Sequence, residues 1–389
     1  MLSDLDSLMR SRELDAIVVP MHEAMHPSFR WLTRGAKVTR GYAIKRIDRD
    51  PVLITYPMER DEAAATGLEV RIESSTTEDY GEFYDSALRG LGIAGTIAFF
   101  GNAPLHLYHG VFEALASRGW KLHRANGEDL IQLARKRKDA HEIAAIRSVG
   151  ERTELVVDRV REVLREVAIR GDAVTYRGES LTIGMLKQLV SSEVARLGMI
   201  EDHETILSQG ADAAVPHSRG DARAPVRPSS PIVLDIFPAD KTSGYFFDMT
   251  RTFCIGPIPD ALREMHAQVF TAFTRARDAM RPGTPASSYQ ALVCDYFESL
   301  GHATTRSNPA TTTGYVHGLG HGVGLDIHEK PSFQLKPSNR DLVEEGDIVT
   351  IEPGLYDPAR GLGVRIEDTF VVVHDRVETM CRGGYELEP

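Results

Sequence analysis

Residues 315–324 read Tyr-Val-His-Gly-Leu-Gly-His-Gly-Val-Gly, and this run constrains the chain more than any other. Two histidines four apart could share a helical face, as in a zinc-binding helix. Four glycines in the seven positions 318–324 make that helix implausible, because each costs about 0.8–1 kcal/mol relative to alanine in a helix interior. An extended segment fits better. His317, Leu319, His321 and Val323 then share one face, and the glycines fall on the other, where a neighbouring backbone can approach closely. A nucleotide-binding GxGxxG loop does not fit, since Val323 stands where the third glycine would fall. For the run taken alone, a glycine-rich turn with incidental histidines is the rival reading.

Around this run the chain divides in two. Up to about residue 130, apolar runs at 15–20, 42–47, 52–56, 70–72, 96–100 and 121–124 alternate with helical spacing at 78–91 and 104–117, which predicts a small α/β domain. The charged stretch 133–145 reads as a hinge into a long helix carrying Val156, Val160, Val163, Leu164 and Val167 on one stripe and stopped by Gly171-Asp172. This places a boundary near 138, giving domains 1–138 and 139–389. In the second, helices are expected at 179–197, 259–281 and 285–300, and strands at 232–237, 245–255, 315–324, 348–352 and 364–374. Strands in runs rather than in strict alternation with helices suit an α+β domain with an antiparallel sheet.

Carboxylates lie inside or beside the strand-like apolar runs of this second domain, where an unpaired charge is expensive to bury. Asp235 interrupts Ile232–Ile236, Glu352 follows an apolar run and precedes Pro353-Gly354, and Glu367 precedes another. Asp248 follows Gly244-Tyr245-Phe246-Phe247. Singly, each is best read as a turn residue or an ion-paired acid. Together they read differently. Asp235 and Asp248 bracket the turn-rich residues 238–244 and so face each other across a hairpin, and Arg365 and Glu367, two apart, share a strand face. Four converging carboxylates and an imidazole repel unless cations bind them. Oxygen-rich sites of this kind suit Mn, Co, Fe or Zn divalent ions, and two dications balance four carboxylates.

Composition narrows the partners. Across 389 residues the formal charge is −11 with no basic tract, which disfavours nucleic acid and anionic membranes. No apolar run approaches the 18 or so residues that span a bilayer. Three cysteines without a CxxC pair read as reduced thiols, and the first 15 residues lack the apolar core of a signal peptide. A cytoplasmic location is expected.

Asp235, Asp248, His321, Glu352 and Glu367, in that order, resemble the ligands of the pita-bread metallopeptidases, the family of methionine aminopeptidase, Xaa-Pro aminopeptidase and prolidase, with creatinase as a metal-free relative. The motifs DxTRT (248–252), HGxGHGxGxxxHE (317–329), EPGxY (352–356) and RxEDT (365–369) carry the resemblance over about 140–389. The N-terminal part resembles the creatinase-type domain of the proline-specific members. The resemblance implies an α/β N-terminal creatinase-like domain plus an α+β pita-bread domain. It implies two divalent metal ions, manganese first and cobalt, zinc or iron as alternatives, bridged by Asp248 and Glu367, with Asp235 completing one and His321 and Glu352 the other. His217 and His328 would assist proton transfer beside Glu352, His317 would line the cleft, and Tyr356 and Arg365 would orient substrate and ligands. The implied activity is hydrolysis of an Xaa-Pro bond, as a dipeptidase (prolidase) or, alternatively, as an Xaa-Pro aminopeptidase on longer peptides. The rivals of a different class are a creatinase-like hydrolase and a non-catalytic pita-bread binding protein. A peptide with proline second is the expected partner, and a homodimer the expected assembly, with the aromatic segment 26–32 as a candidate lid around Trp31. Two departures stand out: Phe237-Pro238 replace the family's usual Gly-Ala, and the Asp235–Asp248 spacing is two residues longer than usual, which preserves the strand period.

Overall fold

The computed structural model describes residues 2–22, 26–73, 79–124 and 127–389. The chain forms two compact units, Met1–Arg135 and Lys136–Pro389. The first helix of the expected pattern began at Glu78, which lies outside the described residues.

In the first unit the strands are β1 (Ala16–His22), β2 (Arg40–Arg46), β3 (Val52–Thr55), β4 (Glu69–Ile72), β5 (Thr96–Phe99) and β6 (Lys121–Leu122). They form one sheet in the order β4-β3-β2-β1-β5-β6. Only β2 runs against the others. The helices are α1 (Leu2–Ser11), α2 (Pro27–Leu32), α3 (Arg60–Ala64), α4 (Tyr80–Gly90), α5 (Leu105–Ser117) and α6 (Leu130–Arg135). Because β1 is buried along almost its whole length, both its faces must be covered. Ile17 and Val19 meet a core shared with Leu5, Phe29 and Leu130 from the side of α1, α2 and α6. Ala16 and Val18 meet one shared with Phe83, Tyr84 and Val111 from α4 and α5. The segment 26–32, expected to be a lid loop, is instead α2. Its Phe29 and Leu32 are buried and Trp31 packs half-buried against the same core, so the apolar residues that suggested a lid serve as an anchor.

In the second unit β7 (Ala168–Arg170), β8 (Ala173–Tyr176) and β9 (Glu179–Ser180) make a small sheet. Then come β10 (Met199–Ile200), β11 (Ile206–Gln209), β12 (Ile232–Ile236), β13 (Ala239–Asp240) and β14 (Met249–Phe253), paired as β10-β13 and β11-β12-β14. Last are β15 (Ile348–Ile351), β16 (Gly354–Asp357), β17 (Leu362–Arg365), β18 (Asp368–Val372) and β19 (Val377–Thr379), paired as β15-β18-β19 and β16-β17. Every one of these pairings is antiparallel. The helices α7 (Ala140–Arg165) and α8 (Ile183–Arg196) pack their apolar stripes into one core with β12 and β14. The helices α9 (Asp260–Ala279) and α10 (Ala286–Ser299) pack into a second with β15, β17 and β18.

Three local expectations change. The expected strand 364–374 breaks at Ile366-Glu367, and its halves join different sheets. Glu367 pairs across to Thr250 of β14, its N–H donating to the Thr250 carbonyl at 3.2 Å. Residues 315–324 form no named strand, yet they lie extended against β15: the N–H of Val323 donates to Ile348, of Thr350 to His321, and of Glu352 to Leu319, at 2.8–2.9 Å. Glycine is needed at 322 for the approach on the other side, since a Cβ there would sit 2.0 Å from the Lys330 carbonyl oxygen. The long helix ends at Arg165 rather than at Gly171, which turns the β7–β8 hairpin instead.

The charged stretch 133–145 is not a solvated hinge. Asp139 caps α7 in a reciprocal capping box with Glu142, and the lysines before it point inward. Lys136 binds Glu344 (2.5 Å) and Asp347 (3.3 Å). Lys138 pairs with Glu329 at 2.8 Å, both side chains 1% exposed. Glu329 also accepts the backbone N–H groups of Leu325 and Asp326, which fixes the loop carrying His328. Removing one partner of such a pair leaves a buried charge uncompensated, so Lys138→Met should destabilise by roughly 3–5 kcal/mol. Asp139→Ala, which removes only a cap, should cost about 1 kcal/mol. Urea unfolding of both variants checks the order, and equal losses would show that the buried pair contributes no more than a cap does.

Candidate metal centre

Strand alternation delivers the first ligands. In β12, Ile232, Leu234 and Ile236 enter the core shared with α7 and α8, so Asp235 turns the other way; it lines a cleft of about 770 Å³, with Phe237 at the edge between core and cleft. Asp235 lies opposite Thr250. In β14, Met249 and Phe253 enter the same core, leaving Asp248, Thr250 and Thr252 on the cleft side. The two-residue extension of the hairpin therefore leaves both aspartates facing the same cavity, where each lines the wall. The β15 ladder adds His321 and Glu352, and the break at 366–367 adds Glu367.

Asp248, His321 and Glu367 bring ligand atoms within 4.8 Å of one another. His321 Nε2 lies 3.6 Å from Asp248 Oδ2 and 3.5 Å from Glu352 Oε1. Its other nitrogen, Nδ1, is 3.0 Å from the Gly322 carbonyl. A carbonyl only accepts, so Nδ1 carries the proton and the Nε2 lone pair faces the carboxylates. Burial, and then the neighbouring His328, lower the His321 pKa to about 3, so the ring is neutral. A lone pair facing carboxylate oxygens is repulsive unless a cation lies between them.

The acids tell the same story. Burial first, then Asp235 and Glu352, raise the Asp248 pKa well above its ordinary value. Burial, then Asp248 and the other acids, do the same for Glu367. Burial pushes Glu352 up to about 8 against the pull of Arg365. Asp248 Oδ1 is buried with no hydrogen-bond partner among the described residues. Glu367 Oε2 accepts from the Thr250 hydroxyl at 2.6 Å, and Asp235 is ion-paired to Arg365. Carboxylate and imidazole donors gathered this closely fit hard or borderline divalent cations.

The Arg365 side chain makes four hydrogen bonds among the described residues. Besides Asp235 it donates to Thr250 Oγ1 (3.2 Å), the Pro216 carbonyl (3.1 Å) and the Tyr356 hydroxyl (3.0 Å). Tyr356 in turn lies 2.9 Å from His317 Nε2, while His317 Nδ1 is 2.8 Å from the Gly318 carbonyl. The tautomer is again set, and the Tyr356 hydroxyl donates to His317. Tyr356 is 1% exposed. Tyr356 therefore stands behind Arg365 and His317 rather than on the cleft wall. Arg365 and His317 do line the cleft, as do the exposed His217 and His328. The His328 ring stands 4.4 Å from that of His321.

Some participants carried no signal of their own. Thr250, inside the DxTRT motif, holds Glu367 and Arg365 together. Arg251 donates to the Glu367 carbonyl at 2.7 Å and pairs with Asp368 at 2.9 Å behind the site. Ile206 and His203 complete the wall and lie in no recognisable motif.

Comparison with known proteins places the chain in a family. The model of metallopeptidase family M24 matches residues 144–374, more than half of the chain. The Xaa-Pro dipeptidase of Pyrococcus furiosus is 28% identical over 235 residues, 59% of this chain and 63% of that relative, so the match spans just under two thirds of the relative's length. Among solved structures, an Xaa-Pro dipeptidase from Bacillus anthracis superposes with a TM-score of 0.81 at 22% identity over 99% of this chain and 98% of that one. An X-Pro aminopeptidase from Thermotoga maritima gives 0.78 at 22% identity over 97% and 98%. The fold is the two-domain pita-bread architecture, and the chain belongs to metallopeptidase family M24.

Proposed function

We propose that this chain is a dinuclear metal-dependent peptidase that hydrolyses Xaa-Pro bonds, acting as an Xaa-Pro dipeptidase. The observation that carries the reading is the convergence of Asp248, His321 and Glu367 within 4.8 Å, with an unpartnered Asp248 oxygen and the His321 lone pair turned into it. The substrate class is supported by the names of relatives such as the P. furiosus Xaa-Pro dipeptidase.

In this reading Asp235, Asp248, His321, Glu352 and Glu367 would hold two divalent ions, manganese first. Divalent ions held by such a set supply a Lewis acid for the scissile carbonyl and a hydroxide at neutral pH. The remaining work belongs to the protein. Arg365 holds Asp235 in place and offsets one of the four negative charges. Glu352 takes up the proton that the attacking water loses and passes it to the leaving proline nitrogen. The exposed imidazoles of His328 and His217 hydrogen-bond to the carbonyl oxygen and assist proton transfer. His317, fixed by Tyr356, lines the substrate path. Phe237, which replaces a small residue of the family pattern, narrows the cleft and restricts the Xaa side chain. A cytoplasmic setting is supported by three buried free thiols, Cys254, Cys294 and Cys381. Among the described residues no helix is long and apolar enough to cross a membrane. A homodimer belongs to the same reading and rests on the resemblance to the proline-specific members.

An Xaa-Pro aminopeptidase would use the same groups, and one assay separates the two. The metal-loaded protein should cleave Xaa-Pro dipeptides faster than Xaa-Pro tripeptides of the same Xaa; the reverse order would assign the aminopeptidase activity. Chelation should abolish turnover and added Mn²⁺ restore it, whereas full activity in the chelated protein would exclude the metal mechanism. Glu367→Ala should lower kcat by about a thousandfold, or ~4 kcal/mol of barrier, with an unchanged far-ultraviolet circular dichroism spectrum. His217→Ala should lower kcat by roughly a hundredfold with metal content intact by elemental analysis. Loss of metal instead would make His217 a ligand.

A further inference from the structure

We propose that the N-terminal unit carries a second ligand site, a pocket at the carboxyl ends of its parallel strands that takes a small ring-bearing carboxylate. In that sheet β1 and β5 are parallel neighbours, and the chain leaves them toward opposite edges, β1 toward β2 and β5 toward β6. The diverging connections open a crevice at such a switch point, where open α/β sheets bind ligands. A cavity of about 550 Å³ lies there, within the size range of small-molecule sites. Its wall includes Met21 and His22 at the end of β1, Tyr56 after β3, and Asn102 and Pro104 after β5. None of these residues belongs to the metal centre, and the proposal stands independently of the peptidase reading.

The chemistry of the wall selects the ligand. Tyr42, Tyr56, Tyr80, Phe83 and Tyr84 present an aromatic surface. It is made rigid by edge-on contacts of the Tyr42 ring with Phe83 (4.9 Å) and Tyr84 (5.1 Å). The Tyr84 hydroxyl is bonded to that of Tyr108 at 2.6 Å. That of Tyr42 is not: the residue is 2% exposed, and its hydroxyl has no partner among the described residues. A buried hydroxyl left unpaired costs about 1–3 kcal/mol. Burial also raises the Tyr42 phenol pKa and keeps it protonated, so it needs an acceptor. At the rim stands the exposed Arg40, whose guanidinium forms no hydrogen bond or ion pair among the described residues. Helix α4 is capped by Asp79, but α5 opens at Pro104 without a side-chain cap, which leaves its positive end available to an anion. A flat or alicyclic ring against the aromatic wall, with its carboxylate reached by Arg40 and the Tyr42 hydroxyl, satisfies all of these groups at once. Glu73 acts electrostatically on Tyr42 and Tyr56, so an amine is the informative opposite probe.

The test is isothermal titration of the full-length, metal-loaded protein with phenylacetate, benzyl alcohol and benzylamine. Phenylacetate should bind the parent and Glu367→Ala alike, because the metal centre is not involved. Arg40→Gln should weaken it roughly tenfold or more, as should replacing the carboxylate by the alcohol. Tyr42→Phe should bind several-fold more weakly without a lower melting temperature, since the hydroxyl removed had no partner to lose. The proposal is overturned if millimolar phenylacetate does not bind the parent or binds it but not Glu367→Ala. It is equally overturned if Arg40→Gln or Tyr42→Phe binds as the parent does, or if benzylamine binds more tightly than phenylacetate.

Discussion

Four carboxylates share one cleft, and their mutual repulsion is the constraint around which the C-terminal unit is organised. Asp235, Asp248 and Glu367 are each less than a tenth exposed, and Glu352 stands 3.5 Å from the same imidazole that faces Asp248. Arg365 is the guanidinium that enters their cavity, and it is tied to Asp235, so it offsets one charge of the four. The other three require cations or protons, which is why burial and repulsion together drive the acids' pKa values upward. Each carboxylate comes from a different part of the chain and is held by a backbone ladder. The charges therefore cannot relax apart without breaking sheet pairing.

Strand β14 is the piece through which these forces pass. On its cleft side Thr250 joins Glu367 to Arg365, and the Thr252 hydroxyl donates to the Arg365 carbonyl at 2.9 Å. On its other side Arg251, 2% exposed, reaches the Glu367 carbonyl and Asp368. Period-two alternation gives one five-residue strand two opposed functions. The break at Ile366-Glu367 follows from this arrangement: Glu367 leaves the β17 direction to pair with Thr250, and β18 resumes in another sheet. The histidines divide similarly. His317 and His321 are locked by carbonyls into one tautomer and held neutral by burial, both with pKa values near 3. His217 and His328 are instead exposed on the cleft wall.

Much of this was legible in the residues. The carboxylates stood out because acids within apolar strands are costly, and the turn-rich residues 238–244 put Asp235 and Asp248 across a hairpin from each other. The glycine run pointed to close backbone approach, and contact with the Lys330 carbonyl across Gly322 is the physical form of it. Other features misled. The charged stretch near 138 resembled a solvated hinge because a capping box and an inward lysine look alike in composition. The segment 26–32 resembled a loop because Pro27 and Trp31 obscure the helical spacing of Phe29 and Leu32.

Local order and the faces of the strands are properties of short stretches, governed by steric preference and the period of the backbone, and the sequence by itself determined most of them for this protein. Which carboxylate oxygens of the cleft remain free was decided only by the tertiary structure. Arg365 occupies an oxygen of Asp235 from 130 positions away, Thr250 occupies one of Glu367 from 117 away, and Asp248 keeps an oxygen with no partner among the described residues. Tyr356 moved behind the cleft for the same reason. Hydrogen-bond satisfaction in a buried site is settled among groups that meet only when distant strands pair, and no local pattern encodes which of them will be left over.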